Sequence, residues 1–545
     1  MIGNDILAKS LTALNLDRIY FIMGGPFIEA HNACEDAGLD MIDVRHEQSA
    51  ALMAIADTRI RRKVNVAMAC SGPGVMNLVT GVAHAFADCA PLLVLGGAAA
   101  LTGEGKGTFQ DGDQLAVFRP ITKAAVRCPD ARRIPEVLAN ALRTALNGKP
   151  GPVYVEFPGD VLYSDVPDDE IIWPAAAPVL ERTAASPSAV EQAIDLLGKA
   201  RRPIVIAGSG VVWSSAEEAL VKFTDELEIP TWTTPLAKGV VDERGPLSFP
   251  SLRSTAFGEC DVIIQIGTRQ NYVFDYFSTK RFNSDAQLIQ IDISPTEIGR
   301  NRAASVALVG DARTVLDQLL DAPKPDGLAD RYEEWRSRLN AAKSAKDAAL
   351  SVRDAERSRE STSDAPIHPA ELCRVVQDWL PEDATVVTDG HEILSFARQT
   401  FAFDRPRSLN SGTYGTMGVG VPFAIGAKLA APDRPVVLLQ GDGSFGFNGF
   451  EIDTAIRHEA PFICIISNNG GWSAANKRKV GRDLGYTRYD EMFAPLGCYT
   501  AHIEDIEDLI PVLDKALASG KPAVINVITD ATARAQTAKF TEYAT

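Results

Sequence analysis

Along most of the 545-residue chain, short unbroken apolar runs alternate with stretches whose apolar residues recur at helical spacing. In the first 165 residues the runs include Val64-Asn65-Val66-Ala67-Met68-Ala69, Pro91-Leu92-Leu93-Val94-Leu95 and Pro152-Val153-Tyr154-Val155-Glu156-Phe157. That alternation predicts βαβ units on a parallel sheet. A Pro- and Asp-rich stretch reaching to about residue 186 reads as a linker. A second α/β unit opens with Pro203-Ile204-Val205-Ile206-Ala207-Gly208, includes strands at Val262 to Ile266 and Leu288 to Asp292, and ends near Leu320. Residues 325–362 are rich in Lys, Arg, Asp, Glu and Ala, with helical character but little apolar face after Trp335, and read as a solvated connector. A third segment places strands at Ala384 to Thr388, Pro435 to Leu439, Phe462 to Ser467 and Ala523 to Val527. The expected fold is α/β: three successive doubly wound parallel-sheet domains at residues 1–165, 187–325 and 363–530, then a tail at 531–545. The length agrees, being too great for a single ordinary core.

Composition narrows the class without naming it. With 46% hydrophobic and 23% charged residues the chain is ordinary for a soluble globular protein. The longest apolar candidate, around Ala90 to Leu101, is shorter than the roughly 20 residues of a membrane helix and contains two glycines. The first residues lack a basic region followed by an apolar stretch and read as the start of an amphipathic helix, so a cytoplasmic location is expected. A net charge of −17 argues against a nucleic-acid surface, so any phosphate site must be built from local groups. The eight cysteines, at 34, 70, 89, 128, 260, 373, 464 and 498, form no CxxC pair, which speaks against structural zinc and a disulfide framework.

The strongest chemical signal lies in the third segment. One strand runs into Gly441-Asp442-Gly443-Ser444 and another into Asn468-Asn469-Gly470-Gly471, with 25 residues between Gly443 and Asn469. Both loops follow the C-terminal ends of strands, where open α/β sheets bind ligands. A carboxylate and a carboxamide brought together there offer hard oxygen ligands that suit magnesium. The glycines let backbone N–H groups approach phosphates, and a helix after Ser444 would present its positive end. Either loop alone is an ordinary turn signal.

A second signal is Val44-Arg45-His46-Glu47-Gln48-Ser49-Ala50, followed by Ser71-Gly72-Pro73-Gly74-Val75-Met76-Asn77. The zinc-protease reading of His46-Glu47 fails, because the second histidine would fall at Ala50. An isolated glutamate there would be a helix N-terminal charge favoured by the dipole. Two further lures fail on spacing. Gly208-Ser209-Gly210 carries Trp213 where a dinucleotide fingerprint needs a small residue, and Gly103 to Thr108 is not a P-loop.

The paired loops resemble the diphosphate–magnesium motif of thiamin diphosphate enzymes, and the resemblance spans nearly the whole chain. It implies a pyrimidine-binding, a central and a diphosphate-binding domain in that order. Asp442, Asn469 and the carbonyl of Gly471 would hold Mg²⁺. Gly443, Ser444, Trp472 and Ser473, together with Gly390, His391 and Glu392, would surround the cofactor. Glu47 resembles the glutamate that activates thiamin through a hydrogen bond to the pyrimidine ring, with Pro73 and Asn77 in the same cofactor set, and Met417, beside Gly415, resembles the apolar wedge that holds the cofactor bent. Gln110 resembles a substrate-facing polar group with a catalytic part. In such enzymes the two cofactor-binding segments of one site come from different subunits, so a homodimer or homotetramer is implied.

Within the acetolactate-synthase-like architecture, three stretches resemble 2-hydroxyacyl-CoA lyases and oxalyl-CoA decarboxylases. They are Ser411 to Gly420, Ser444 to Glu451 and Pro235-Leu236-Ala237-Lys238-Gly239-Val240-Val241. This implies a 2-hydroxyacyl-CoA lyase giving formyl-CoA and an aldehyde or ketone, with an acyl-CoA as the small-molecule substrate. Arg269, Arg405 and Arg407 would contact its phosphates, and Pro26 and Phe27 would line the substrate. Trp472-Ser473 stands where those families carry Ile-Tyr and is closer to benzaldehyde lyase, which keeps a carboligase or decarboxylase acting on 2-oxo acids or aldehydes as the alternative. The Gly25-Pro26-Phe27 loop and the tail after Asp530 also depart from the acyl-CoA pattern.

Overall fold

The structure, a computed structural model, describes residues 1–360, 366–472 and 480–535, and for 349–360 the backbone alone. Three sheets follow one another along the chain. The first contains β1 (Arg18–Phe21), β2 (Asp40–Asp43), β3 (Asn65–Ala69), β4 (Leu92–Ala98), β5 (Ala124–Arg127) and β6 (Pro152–Pro158), in the order β2-β1-β3-β4-β6-β5. The second contains β7 (Pro203–Ala207), β8 (Thr231–Thr233), β9 (Val262–Ile266), β10 (Gln287–Asp292) and β11 (Val306–Val309), in the order β11-β10-β9-β7-β8. The third contains β12 (Thr385–Asp389), β13 (Ser408–Asn410), β14 (Val436–Gly441), β15 (Ile463–Asn468), β16 (Tyr499–Ile503) and β17 (Ala523–Ile528), in the order β13-β12-β14-β15-β17-β16. Counted within each sheet, the first and third share one strand order, 2-1-3-4-6-5, although no sequence repeat marks it. Neighbouring strands run parallel, as at Val437↔Ile463 and Val66↔Leu93. The interior strands β3, β7, β9, β12 and β15 are buried along their whole length, because crossover helices cover both faces.

The first and third sheets belong to one compact unit, Met1–Leu180 and Pro366–Phe401 with the chain from Leu409 onward. Helix Glu47–Arg61 of the first part packs on helix Gly420–Ala430 of the third. The approach is close enough that a Cβ on Gly426 would strike the Met53 carbonyl. The second sheet forms the other unit, which the strap Ala402–Ser408 also joins. Its connector is the helix Glu333–Glu360, anchored at the start by buried Trp335 and Leu339, so the apolar face extends one turn beyond Trp335. No helix among the described residues is long and apolar enough to cross a membrane. Six of the eight cysteines are buried, Cys70 and Cys498 partly so, and all are free thiols.

Candidate active site

In a doubly wound sheet the strand order reverses at one point, and the loops there splay apart to leave a crevice outside the carboxyl ends. In the third sheet that point lies between β12 and β14. An open cleft occupies it. Gly390, His391 and Glu392 after β12, Asp442, Gly443 and Ser444 after β14, Asn469, Gly471 and Trp472 after β15, and Met417 from the intervening loop all line it. Ser473 lies outside the described residues.

Local chemistry explains these positions. Gly390 has φ +114, and its N–H donates to Asp389 Oδ1 at 2.7 Å. A side chain at Gly443 would meet the Trp472 ring at 2.8 Å, so glycine there lets the indole lie against the loop. Trp472 also makes an edge contact with Phe447, ring centroids 5.8 Å apart. The helix of this loop starts at Asp442 rather than after Ser444, and Ser444 Oγ donates back to the Gly441 carbonyl at 2.9 Å. Asn469 Oδ1 accepts from Gly471 N–H at 3.2 Å, which folds the second loop on itself. Gly415, at φ +71, shapes the exposed loop that delivers Met417.

The donor set fits a divalent cation carrying a polyanion. Asp442 is 3% exposed and brings a carboxylate to a cleft that no lysine or arginine lines among the described residues. A carboxylate beside a phosphate ligand is an arrangement that a divalent cation bridges. Among the described residues no three His, Cys, Asp or Glu side chains converge as a metal cluster. Such an ion takes the rest of its coordination from amide and carbonyl oxygens, water and the ligand itself, as magnesium does.

In the first sheet the corresponding reversal lies between β1 and β3. Glu47 opens the helix Glu47–Arg61 behind the cap residue His46, whose Nδ1 accepts from Gln48 N–H at 3.1 Å. Its carboxylate is buried to 7% exposure, and Oε2 accepts from Asn77 Nδ2 at 2.9 Å. Pro73 is the first residue of the short helix Pro73–Asn77 that delivers Asn77. Gly74 makes room, since a Cβ there would lie 3.1 Å from Glu47 Oε1. Gln110 adopts a left-handed backbone, φ +58, and its Oε1 accepts from Ser71 Oγ at 2.9 Å. The structure thus gathers Glu47, Pro73 and Asn77 in one place, and the cleft residues in another. Among the described residues the cleft is lined by residues between 369 and 533, and Glu47 is not one of them.

Phe27 needs correction. Its side chain is fully buried in the core of the first sheet, 6.0 Å from the Phe157 ring, and offers no face to a substrate. Phe27→Ala is therefore expected to cost about 3–5 kcal/mol of stability. Thermal unfolding checks this, and an unchanged melting temperature with a raised KM would restore the substrate role. Pro26 instead packs against Gly97 near the end of β4, follows a cis peptide bond and is partly exposed. Arg405 and Arg407 both pair with Asp404, at 3.6 and 2.9 Å, and Arg269 follows β9 in the same unit.

Several buried polar residues escaped the sequence reading. Asp389, at the end of β12, is fully buried, and its pKa is pushed up to about 6 by desolvation against the N–H groups of Gly390 and Gly420. An acid just before a glycine at a strand end, as at Asp442-Gly443, was the available signal. Glu451 accepts the N–H groups of Arg45 and His46, so the third segment grips the chain just before Glu47. Gln114 is buried and joins Gly72 N–H to Tyr154 and Glu156. Nothing in the local pattern marks Gln114, whose partners lie 17 to 42 residues away.

Family comparison accounts for all three sheets. The N-terminal TPP binding domain of thiamine pyrophosphate enzymes matches residues 1–117, their central domain residues 190–319, and their C-terminal TPP binding domain residues 393–527. The chain belongs to the thiamin diphosphate enzyme family. Its relatives include a probable acetolactate synthase of Mycobacterium bovis, 33% identical over 97% of this chain and 96% of the relative. They also include a 2-hydroxyacyl-CoA lyase of Oryza sativa subsp. japonica, 30% identical, and an oxalyl-CoA decarboxylase of Escherichia coli K12, 31% identical. Each of these two matches covers 99% of this chain and 97% of the relative. Thiamin diphosphate is the cofactor, and this family member is an enzyme of carbon–carbon bond chemistry.

Proposed function

We propose that this thiamin diphosphate enzyme is a 2-hydroxyacyl-CoA lyase, reversibly splitting a 2-hydroxyacyl-CoA into formyl-CoA and an aldehyde or ketone. Residues 1–165 bind the pyrimidine, 363–530 the diphosphate, and 187–325 form the central domain. Asp442, Asn469 and the Gly471 carbonyl hold Mg²⁺, and Gly390, Gly443 and Ser444 approach the diphosphate. When bound, the cofactor supplies a nucleophilic carbon that stabilises charge next to a carbonyl. Glu47 holds a proton at the pyrimidine nitrogen, Met417 supports the bent cofactor, and Gln110 faces the substrate. Glu47 is not among the described residues that line the cleft, which supports a homodimer or homotetramer in which each site takes Glu47 from a second subunit; the reading also places the enzyme in the cytoplasm.

The acyl-CoA part of the reading rests on one observation. The strap Ala402–Ser408 lies on the loop Pro235 to Val241, so closely that a Cβ at Gly239 would strike the Arg405 carbonyl, and Glu243 N–H donates to the Phe403 carbonyl at 2.9 Å. This brings Arg405 and Arg407 onto the loop that resembles the acyl-CoA branch. Arg405 is exposed beside Asp404 and carries a guanidinium of the kind a phosphate takes in pairs. A second reading, a carboligase acting on 2-oxo acids or aldehydes, draws on Trp472 in the cleft and on the acetolactate synthase relative.

Formyl-CoA plus an aldehyde is expected to give a 2-hydroxyacyl-CoA, while pyruvate alone gives no acetolactate; chromatography of the CoA esters and a colour assay for acetolactate read the two. Alanine at Arg405 and Arg407 should raise KM for the CoA substrate about tenfold with kcat little changed, because those contacts serve ground and transition states alike. Acetolactate from pyruvate without any CoA-dependent reaction overturns the acyl-CoA reading and establishes the second.

A further inference from the structure

The loop that delivers Met417 to the cleft is not held by its own sheet alone. Its first half rests on a buried pair from the first part of the same unit, His84 and Asp88, on one face of the helix Val79–Asp88. His84 is fully buried, its Nδ1 lies 3.0 Å from Thr416 Oγ1, and its Nε2 lies 3.2 Å from Asp88 Oδ2. The ring stands edge-on to Phe423, centroids 5.6 Å apart, so it cannot swing away from Thr416 without repacking. Asp88 in turn accepts the N–H of Thr413 at 3.3 Å, and Gly412, at φ +59, leaves room for the carboxylate, which a Cβ there would strike. The second half is gripped from the third sheet: Gly420 N–H donates to Asp389 at 3.0 Å, and Asn448 Nδ2 donates to the Gly418 carbonyl at 2.8 Å. Met417 lies between these two anchors.

We propose that His84 and Asp88 are positioning residues that set the height of Met417 in the cofactor cleft by clamping Thr413 and Thr416. Burying an imidazole and a carboxylate costs free energy unless each is partnered. A histidine and an aspartate at this packed contact add nothing to cohesion that an apolar pair would not supply. What they add is direction, since the hydroxyl of Thr416, the residue just before Met417, is fixed by a hydrogen bond and not by packing alone. The inference rests on the reading of Met417 as the residue that supports the bent cofactor.

Thr416→Val removes the hydroxyl with almost no change of volume, and Thr416→Ser keeps it. With Mg²⁺ saturating, Kd for thiamin diphosphate is expected to rise about tenfold in Thr416→Val, as for the loss of one buried hydrogen bond, and to stay near wild type in Thr416→Ser. Quenching of the cleft-lining Trp472 follows the titration. Melting temperatures of the cofactor-free variants should stay within about 3 °C of wild type, because one buried hydrogen bond contributes little to a unit of this size. A Thr416→Val protein that binds the cofactor as tightly as wild type, or one in which Ser weakens binding as much as Val, overturns the clamp. Met417→Ala separates the two ideas: if it leaves cofactor binding and turnover unchanged, the role of Met417 itself is wrong.

Discussion

Glu47→Gln is expected to leave thiamin diphosphate bound and to lower turnover by about 10²–10⁴-fold, the range general acid–base groups contribute. The amide is isosteric and keeps the helix N-terminus intact, so the fold should not suffer. Asn77 decides how the new side chain sits. Its Nδ2 donates to one oxygen of Glu47 across 2.9 Å, and only the amide oxygen of a glutamine can replace that acceptor. The amide nitrogen is thereby turned toward the position of Oε1. From there it can donate a hydrogen bond to a ring nitrogen, but it cannot pass a proton back and forth. Binding and catalysis should therefore separate: calorimetric Kd for the cofactor near wild type, and kcat reduced throughout the accessible pH range. A variant with near wild-type turnover removes Glu47 from its role. One that no longer binds the cofactor makes Glu47 a binding group instead.

How far the fold could be read from the sequence follows from burial. The apolar runs named from the sequence correspond to β3, β4, β6, β7, β9, β10, β12, β14, β15 and β17, most of them flanked on both sides by other strands. The strands the pattern did not announce are β1 and the six that end the three sheets, β2, β5, β8, β11, β13 and β16. An edge strand loses half its neighbours, so its side chains need not be apolar. β5 is mostly half-exposed, and β11 alternates buried and exposed residues. β1 is only four residues long and begins with Arg18, which pairs with Asp40 and Asp57. The shared order of the first and third sheets was invisible for a related reason. Topology depends on which strands pair, and parallel pairing over long crossovers leaves no local mark.

The cleft was legible because its parts are local. Gly441 to Ser444 and Asn468 to Gly471 each follow a strand, and a ligand at a strand end needs glycine and hard oxygen within a few residues. What the sequence could not supply is partnership between distant segments. Asp389 meets Gly420, Glu451 meets Arg45, and His84 meets Thr416 across 31, 406 and 332 residues. Phe27 went astray in the opposite direction. A loop beside a candidate substrate position was read as facing that substrate, whereas the aromatic ring is what fixes the loop to the core.

Asp442→Ala should act on the cofactor before it acts on the reaction. The cleft brings Asp442 and Glu392 as its carboxylates, and Glu392 Oε2 is already engaged by Ala535 N–H at 3.2 Å. Since no lysine or arginine lines the cleft among the described residues, the proposed site leaves the charge of a diphosphate to be balanced by the metal, which Asp442 would hold. Removing one charged ligand from a magnesium site that otherwise offers an amide and a carbonyl should weaken metal binding by at least about 100-fold. The stabilisation that bound cofactor and Mg²⁺ confer grows with the logarithm of ligand concentration over Kd, so the upward shift of melting temperature seen on adding both should largely vanish in the variant. Raising Mg²⁺ should recover part of it, because the diphosphate still brings its own oxygens to the ion. Asp442→Asn should fall between the two, keeping shape without charge. An Asp442→Ala protein whose melting temperature still rises as in wild type at limiting Mg²⁺ would show that the cation is held elsewhere, and would move the metal site away from β14.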